Sequence, residues 1–279
     1  MFTVPQIAAK ELASFLASDM KDRFGGSNGQ LAELVPFAVQ LALEFIGNSD
    51  ALYHNVEHTM LVTLAGQQII NGRALLVPTT ASDYANLVVA CLTHDIGFVR
   101  GIIKGDDEDG CVVDASGRKI ALAPGSSDAA LTPYHIERSK LFVQERIGSM
   151  DELAGERIVR AIEYTRFPYP ATEDEQVDEL SSMLRAADLI GQIGDPHYLR
   201  KLNALYYEFE EIGMNRQLGY NSPADLVSNY PQFYWKTFSP HLQPAIRYLS
   251  VTSKGREWIA NLYSNIYRAE HPRALARLQ

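Results

Sequence analysis

The stretch Leu87-Val88-Val89-Ala90-Cys91-Leu92-Thr93-His94-Asp95-Ile96-Gly97 carries an adjacent histidine and aspartate to the end of a strongly apolar helix. Polar groups entering a core are expensive unless hydrogen bonds, a counter-charge or a metal satisfy them, so the fold must bring partners to His94 and Asp95. An imidazole nitrogen beside a carboxylate oxygen suits Zn, Mn, Fe or Ni better than a metal that prefers thiolates. Gly97 is the expected C-cap, which leaves both side chains at a helix end where others can converge on them.

Three further segments offer such partners. A helix is expected from about Asn55 to Ile70, and His54 and His58, four residues apart, share one side of its start. Ser82 or Asp83 should cap the helix that leads to His94. A helix from about Glu173 to Gln192 carries Leu180, Leu184, Ala187 and Gly191 on one stripe, and Asp188 lies on that stripe too. A carboxylate in an apolar seam is the informative exception, whereas Asp178 and Glu179 need no role. Thr132-Pro133 reads as an N-cap followed by proline at the first helical position. It opens a helix on which His135 shares a face with Ser139 and Phe142, so metal, substrate and purely structural roles all stay open for His135.

The rest of the chain supplies the frame. Apolar residues at helical spacing mark helices from Gln6 to about Arg23, from Leu31 to Ile46 and from Asp151 to Thr165, with Phe167-Pro168-Tyr169-Pro170 as a stiff connection. Cys111-Val112-Val113 and Lys119-Ile120-Ala121-Leu122 flank Asp114-Ala115-Ser116-Gly117, a small β-hairpin within an insertion over about 98–127 that is either a lid or a solvated excursion. Its acidic turn Asp106-Asp107-Glu108-Asp109-Gly110 lacks the alternating ligands of an EF-hand. Helices around His197–Ile212, Pro223–Trp235 and His241–Arg268 form a C-terminal cap, low in ionisable residues on its apolar faces. The expected fold is all-α, a single domain over 1–279: N-terminal helices to 50, a core over 51–195 with the hairpin insertion, and the cap over 196–279.

A net charge of −9 argues against a nucleic-acid polymer as partner, while a bound cation would still allow a small anionic substrate. Two cysteines exclude a disulfide framework and a zinc–thiolate site. Charged residues near the N-terminus and no later run of membrane-spanning length lead to the expectation of a cytoplasmic protein with no membrane partner.

His58, then His94-Asp95, then Asp188 on successive helices resembles the H…HD…D pattern of the HD superfamily of metal-dependent phosphohydrolases, over about Tyr53 to Asp195. Tyr53-His54-Asn55-Val56-Glu57-His58 is similar to the YHNxxH signature of the class I cyclic-nucleotide phosphodiesterase branch, and Ala187-Asp188-Leu189 to its ADL segment. That branch continues its pair as HDxxHPG, and this chain reads His94-Asp95-Ile96-Gly97-Phe98-Val99-Arg100, without the second histidine. The resemblance implies an HD-domain helical bundle in which His58, His94, Asp95 and Asp188 ligate metal and His54 protonates the leaving oxygen.

The chemistry of the residues agrees with that implication. Two imidazoles and two carboxylates can hold a divalent cation with open positions, and Asp95 can bridge to a second, the ions being Mn, Mg, Zn, Fe or Ni. The expected reaction is hydrolysis of a small phosphate ester by attack of metal-activated hydroxide, with His54 and Asp95 as the catalytic pair. The expected partner is a small phosphorylated molecule, a nucleotide or cyclic nucleotide first, with a homo-oligomer left open. Asn55, Arg100, Arg166 and Gln232, with Lys104, are candidates for substrate contact. Two other readings stand beside this one. A non-catalytic sensor would bind metal or nucleotide without needing His54, and a di-iron oxygenase would need more histidines between Asp95 and Asp188 than His135 alone.

Overall fold

The computed structural model describes residues 3–25, 29–148, 150–169 and 177–271. The elements run α1 (Val4–Phe24), α2 (Gly29–Ile46), α3 (Val56–Ala74), α4 (Ala81–Thr93), β1 (Cys111–Val112), β2 (Lys119–Ile120), α5 (His135–Arg146), α6 (Gly155–Glu163) and α7 (Glu179–Ile193). They continue through α8 (Tyr198–Glu211), α9 (Met214–Leu218), α10 (Pro223–Phe233), α11 (Ser239–Ser250) and α12 (Ser253–Glu270), so the fold is all-α with one two-stranded hairpin. The strands pair antiparallel, Cys111 opposite Ile120 and Val112 opposite Lys119, as the insertion's sequence suggested.

The centre of the molecule is the meeting of α3, α4 and α7, and small residues set how closely they approach. A Cβ on Gly66 of α3 would stand 2.6 Å from Cys91 Sγ, and one on Gly191 of α7 would stand 2.6 Å from the Val62 Cα. Farther along α3, a Cβ on Gly72 would meet the Tyr248 carbonyl of α11 at 1.9 Å. Helices whose side chains vanish at the crossing can pack backbone to backbone. Such packing brings the start of α3, the end of α4 and the middle of α7 to one place, and those are the positions of His58, His94 and Asp188.

Several boundaries differ from the sequence expectation. Thr80, not Ser82, caps α4, in a capping box with Asp83. Thr132-Pro133 does not start α5: a 3₁₀ turn over Asp128–Leu131 comes first, the Thr132 hydroxyl donates back to the Ala129 carbonyl, and α5 begins at His135. The helix expected over Asp151–Thr165 is shorter, Gly155–Glu163, and α7 begins after its N-cap Asp178, residues 173–176 and Pro170 lying outside the described residues. The long helix expected over His241–Arg268 is two, because Thr252 caps α12 by accepting from the Gly255 N–H. The five-residue α9 was not anticipated, being shorter than any hydrophobic period can reveal.

Among the described residues one helix, Gly29–Ile46, is long and apolar enough to cross a membrane by length and composition, which corrects the expectation that no run reaches that length. Glu33 and Glu44 interrupt the run at exposed positions off its buried stripe. Val35, Val39, Ala42, Leu43 and Ile46 are buried in a helix that packs on α1 and α4.

Candidate metal centre

Asn55 builds the entrance to α3. Its side-chain oxygen accepts from the N–H groups of Glu57 and His58 at 2.9 and 3.3 Å, and its amide donates to the Leu52 carbonyl at 2.7 Å. With both polar ends occupied, Asn55 acts as the N-cap that aims His58 and not as a free substrate ligand. At the end of α4 the helix stops at Thr93, His94 is the C-cap residue, and Ile96–Phe98 form a 3₁₀ turn. Gly97 is therefore not a helix cap. A Cβ there would meet the His135 carbonyl at 2.0 Å and the Ser139 nitrogen at 2.7 Å, so its bareness admits α5 to the site.

Four side chains converge. His58 Nε2 lies 3.2 Å from Asp95 Oδ2 and 3.5 Å from Asp188 Oδ1, and His94 Nε2 lies 3.1 and 3.6 Å from the same two oxygens. His58, His94 and Asp95 are buried, with ligand atoms within 4.8 Å of one another, a group that could hold a metal ion. The contacts are close but oblique, and the Nε2 atoms of both histidines make no hydrogen bond. His94 Nδ1 faces the Cys91 carbonyl at 2.8 Å, and since a carbonyl only accepts, Nδ1 carries a proton and Nε2 is the nitrogen turned inward. The inward Nε2 atoms with Asp95, and Asp188 beside them, could hold a metal ion, and the His94 imidazole is fixed by a carbonyl as metal-binding histidines usually are. Burial raises the carboxyl of Asp188, but His58 and His94 overcome it and bring it to about 2. The reverse balance holds at His94, where burial disfavours the charge but Asp95 and Asp188 raise its pKa well above the ordinary value. This negative field is what a cation would meet.

Two more histidines flank the cluster. Glu208 of α8, 2% exposed, accepts from His54 Nδ1 at 2.5 Å and from the backbone N–H groups of Tyr53 and His54 at 2.6 and 3.2 Å. Burial lowers the His54 pKa, but the Glu208 carboxylate outweighs it and lifts it to about 9. His135 Nε2 lies 3.6 Å from Asp95 Oδ1, with Nδ1 on the Thr132 carbonyl at 2.6 Å, and its pKa is lowered by burial. His135 thus reaches the same site from α5.

A family model described as Npun_R2479-like matches residues 2–272. The chain belongs to that family. No curated protein and no solved structure matched it.

In this Npun_R2479-like chain the remaining candidates stand elsewhere. Arg100 pairs through Nε with Asp128, and its Nη2 lies 3.5 Å from Asp50 and donates to the Ser126 carbonyl. Arg166 pairs with Glu163 and Glu137, both at 2.5 Å. The Lys104 backbone N–H is held by Glu145, and Gln232 lies exposed on α10. Arg100 is thus engaged by carboxylates distant in sequence, and Arg166 by the distant Glu137 and the neighbouring Glu163. Glu208 escaped the sequence reading, which took the cap as poor in ionisable groups on its apolar faces. The signal was present, since Glu208 falls among Tyr198, Leu202, Leu205 and Tyr206 on the buried face of α8, as Asp188 does on α7.

The insertion is pinned. Arg138 of α5 spends all five of its N–H donors: on the carbonyls of Gly97, Val99 and Val112 at 2.8, 2.7 and 2.5 Å, and on both oxygens of Asp106 at 3.0 and 2.9 Å. Asp106, expected in a solvated acidic turn, is buried as the counter-charge, and Arg138 holds its carboxyl below the ordinary range against the effect of burial.

Proposed function

We propose that this protein is a metal-dependent phosphohydrolase of the HD type that cleaves a small phosphate ester, a nucleotide or cyclic nucleotide being the first class to test. The observation that carries this reading is the pairing of an open donor set, His58, His94, Asp95 and Asp188, with a separate imidazole that holds its proton at neutral pH, His54. When bound, the cation supplies Lewis acidity, lowering the pKa of water and neutralising charge on the phosphoryl group.

The chain's own residues supply the remainder. His58 and His94 would offer Nε2 to the cation, and the Asp95 and Asp188 carboxylates would balance its two positive charges. With Nδ1–H held by Glu208, protonated His54 keeps its Nε2–H for donation, which suits a general acid toward a leaving oxygen. A purely binding site has no use for that proton. Cys91 and Cys111 are free thiols, which fits a reducing compartment such as the cytoplasm.

The test is hydrolysis of cyclic nucleotides, nucleoside mono- and triphosphates and a generic diester by protein loaded with Mn or Mg, against a chelated control. Chelator-sensitive turnover is expected. His54→Ala should lower it by about 10²–10⁴-fold with metal content unchanged. Full activity in that variant would remove His54 from the mechanism, and no turnover by metal-loaded wild type on any ester would overturn the hydrolase reading.

A further inference from the structure

A single hydrogen bond fixes one atom of an imidazole and leaves its plane free to swing about that atom. His54 and His135 each have one such bond, at Nδ1, to Glu208 and to the Thr132 carbonyl. Tyr53 and His58 meet His54 edge-on, but the flat face that both His54 and His135 share is one ring. Phe98 stacks on His54 with centroids 4.5 Å apart and planes 12° from parallel, and its other neighbour His135 stacks at 4.5 Å and 22°. Phe98 itself is 1% exposed, and both residues beside it are anchored: the Gly97 N–H donates to Ser139 Oγ at 2.9 Å, and the Gly97 and Val99 carbonyls accept from Arg138. The anchoring therefore runs from α5 through two backbone clamps to one flat ring, and from that ring to two imidazoles that flank the Asp95 cluster.

We propose that Phe98 is a positioning residue, an aromatic plate that sets the ring planes of His54 and His135 and thereby where the Nε2 of His54 stands. Planarity is the property that matters. A branched or flexible apolar side chain of similar volume would fill the space, but would present no flat face to either imidazole. Phe98 touches no reacting atom in this scheme, and its effect reaches the chemistry through His54; in that respect the inference rests on the proposed general-acid role.

The test compares Phe98→Leu and Phe98→Met, which remove the plate, with Phe98→Tyr, which keeps it, all loaded with Mg. The first readout is the downfield proton resonance of His54 Nδ1–H in its bond to Glu208, assigned by its loss in His54→Ala. The second is turnover on whichever ester the wild type cleaves, at metal content checked per chain. In the Leu and Met variants the resonance should broaden into exchange, with at least a tenfold loss of intensity, and turnover should fall by about 10²-fold, the loss expected for a misplacement of about 1 Å. Phe98→Tyr should keep both. Wild-type intensity in Leu and Met would overturn the proposal, and so would equal loss in all three variants, because bulk and not planarity would then be the cause. If the wild type cleaves no ester, loss of the resonance in Leu and Met with retention in Tyr still establishes the plate, and the failure belongs to the hydrolase reading alone.

Discussion

Arg138 and His94 are buried to nearly the same degree, 0% and 1% exposed, and each faces a buried aspartate, yet their hydrogen bonding is opposite. Around Arg138 every donor has an acceptor, so nothing is left for a ligand. Around His94 and His58 the Nε2 atoms make no hydrogen bond, although both carboxylates lie within 3.6 Å. Buried ionic groups that close on themselves hold a structure together, and buried groups left open mark a place where something else completes the set. The two clusters are also joined in sequence. Gly97, Val99 and Asp106, which Arg138 holds, follow directly on the His94-Asp95 pair, so the closed cluster fixes the exit of the open one.

The comparison breaks most easily at Arg138. Arg138→Met strips three carbonyls and the buried Asp106 carboxylate of their partner, and such a loss typically costs about 3–5 kcal/mol. Urea unfolding should show a destabilisation of that size. A variant within 1 kcal/mol of wild type would mean that water replaces the guanidinium and that the cluster is not closed.

At the open cluster the decisive readout is the cation. His94→Leu takes from Asp95 and Asp188 the imidazole that balances them, so metal-free stability should fall, and the gain on adding cation disappears. For wild type that gain is about 2.7 kcal/mol at a cation concentration one hundred times Kd. Thermal unfolding with and without Mn measures both numbers. A variant that melts early without metal and still gains with it would show that His94 packs the core and ligates nothing.

How much of this contrast the sequence carries depends on where each partner lies. His94-Asp95, His58 and Asp188 are legible because each sits on or beside an apolar run where a polar residue is anomalous within one helix, and the helices that carry them are legible by period. Glu208 could be found by the same rule applied to α8. Arg138 could not, because its meaning lies in carbonyls and a carboxylate brought together by the insertion, and on its own helix it reads as one more charge in an amphipathic pattern. The same holds for Arg100 with Asp128 and Arg166 with Glu137, pairs set by tertiary contact, whereas Glu163 three residues before Arg166 is a local partner. Phe98 reads as ordinary core until two distant histidines are seen on its faces.

Between the closed and open clusters lies the His54–Glu208 pair, which has its own pH signature. His54 is raised from about 6.5 in the unfolded chain to about 9 in the fold. Stability from that raised pKa is fully present below pH 6.5 and is lost as pH rises through about 9. Glu208 has a depressed pKa, so its contribution is present above the ordinary carboxylate range and is lost as pH falls through the lowered value. Glu208→Gln should therefore lie furthest below wild type near neutral pH and approach it toward pH 10. Denaturant unfolding across pH 5–10 reads the difference, and a gap that does not narrow above pH 9 would place the stabilising proton elsewhere.

The smallest effect belongs at Arg100, where the comparison can be sharpened. Like Arg138 it joins the insertion to a neighbouring segment through an aspartate, Asp128, but its side chain is 41% exposed and Asp50 beside it is solvated. Water can reach the Arg100 side of the pair, but the Asp128 carboxylate is only 6% exposed and loses its guanidinium, so part of the desolvation that makes Arg138→Met severe remains. Arg100→Ala should destabilise by about 1–2 kcal/mol, between an exposed pair and the closed cluster, and the loss should shrink in high salt. Metal binding and turnover should remain at wild-type level, because Arg100 reaches none of His58, His94, Asp95 or Asp188. A tenfold rise in KM on the preferred ester with stability unchanged would return Arg100 to the substrate, and would mean that its pairing with Asp128 is exchanged for phosphate when substrate arrives.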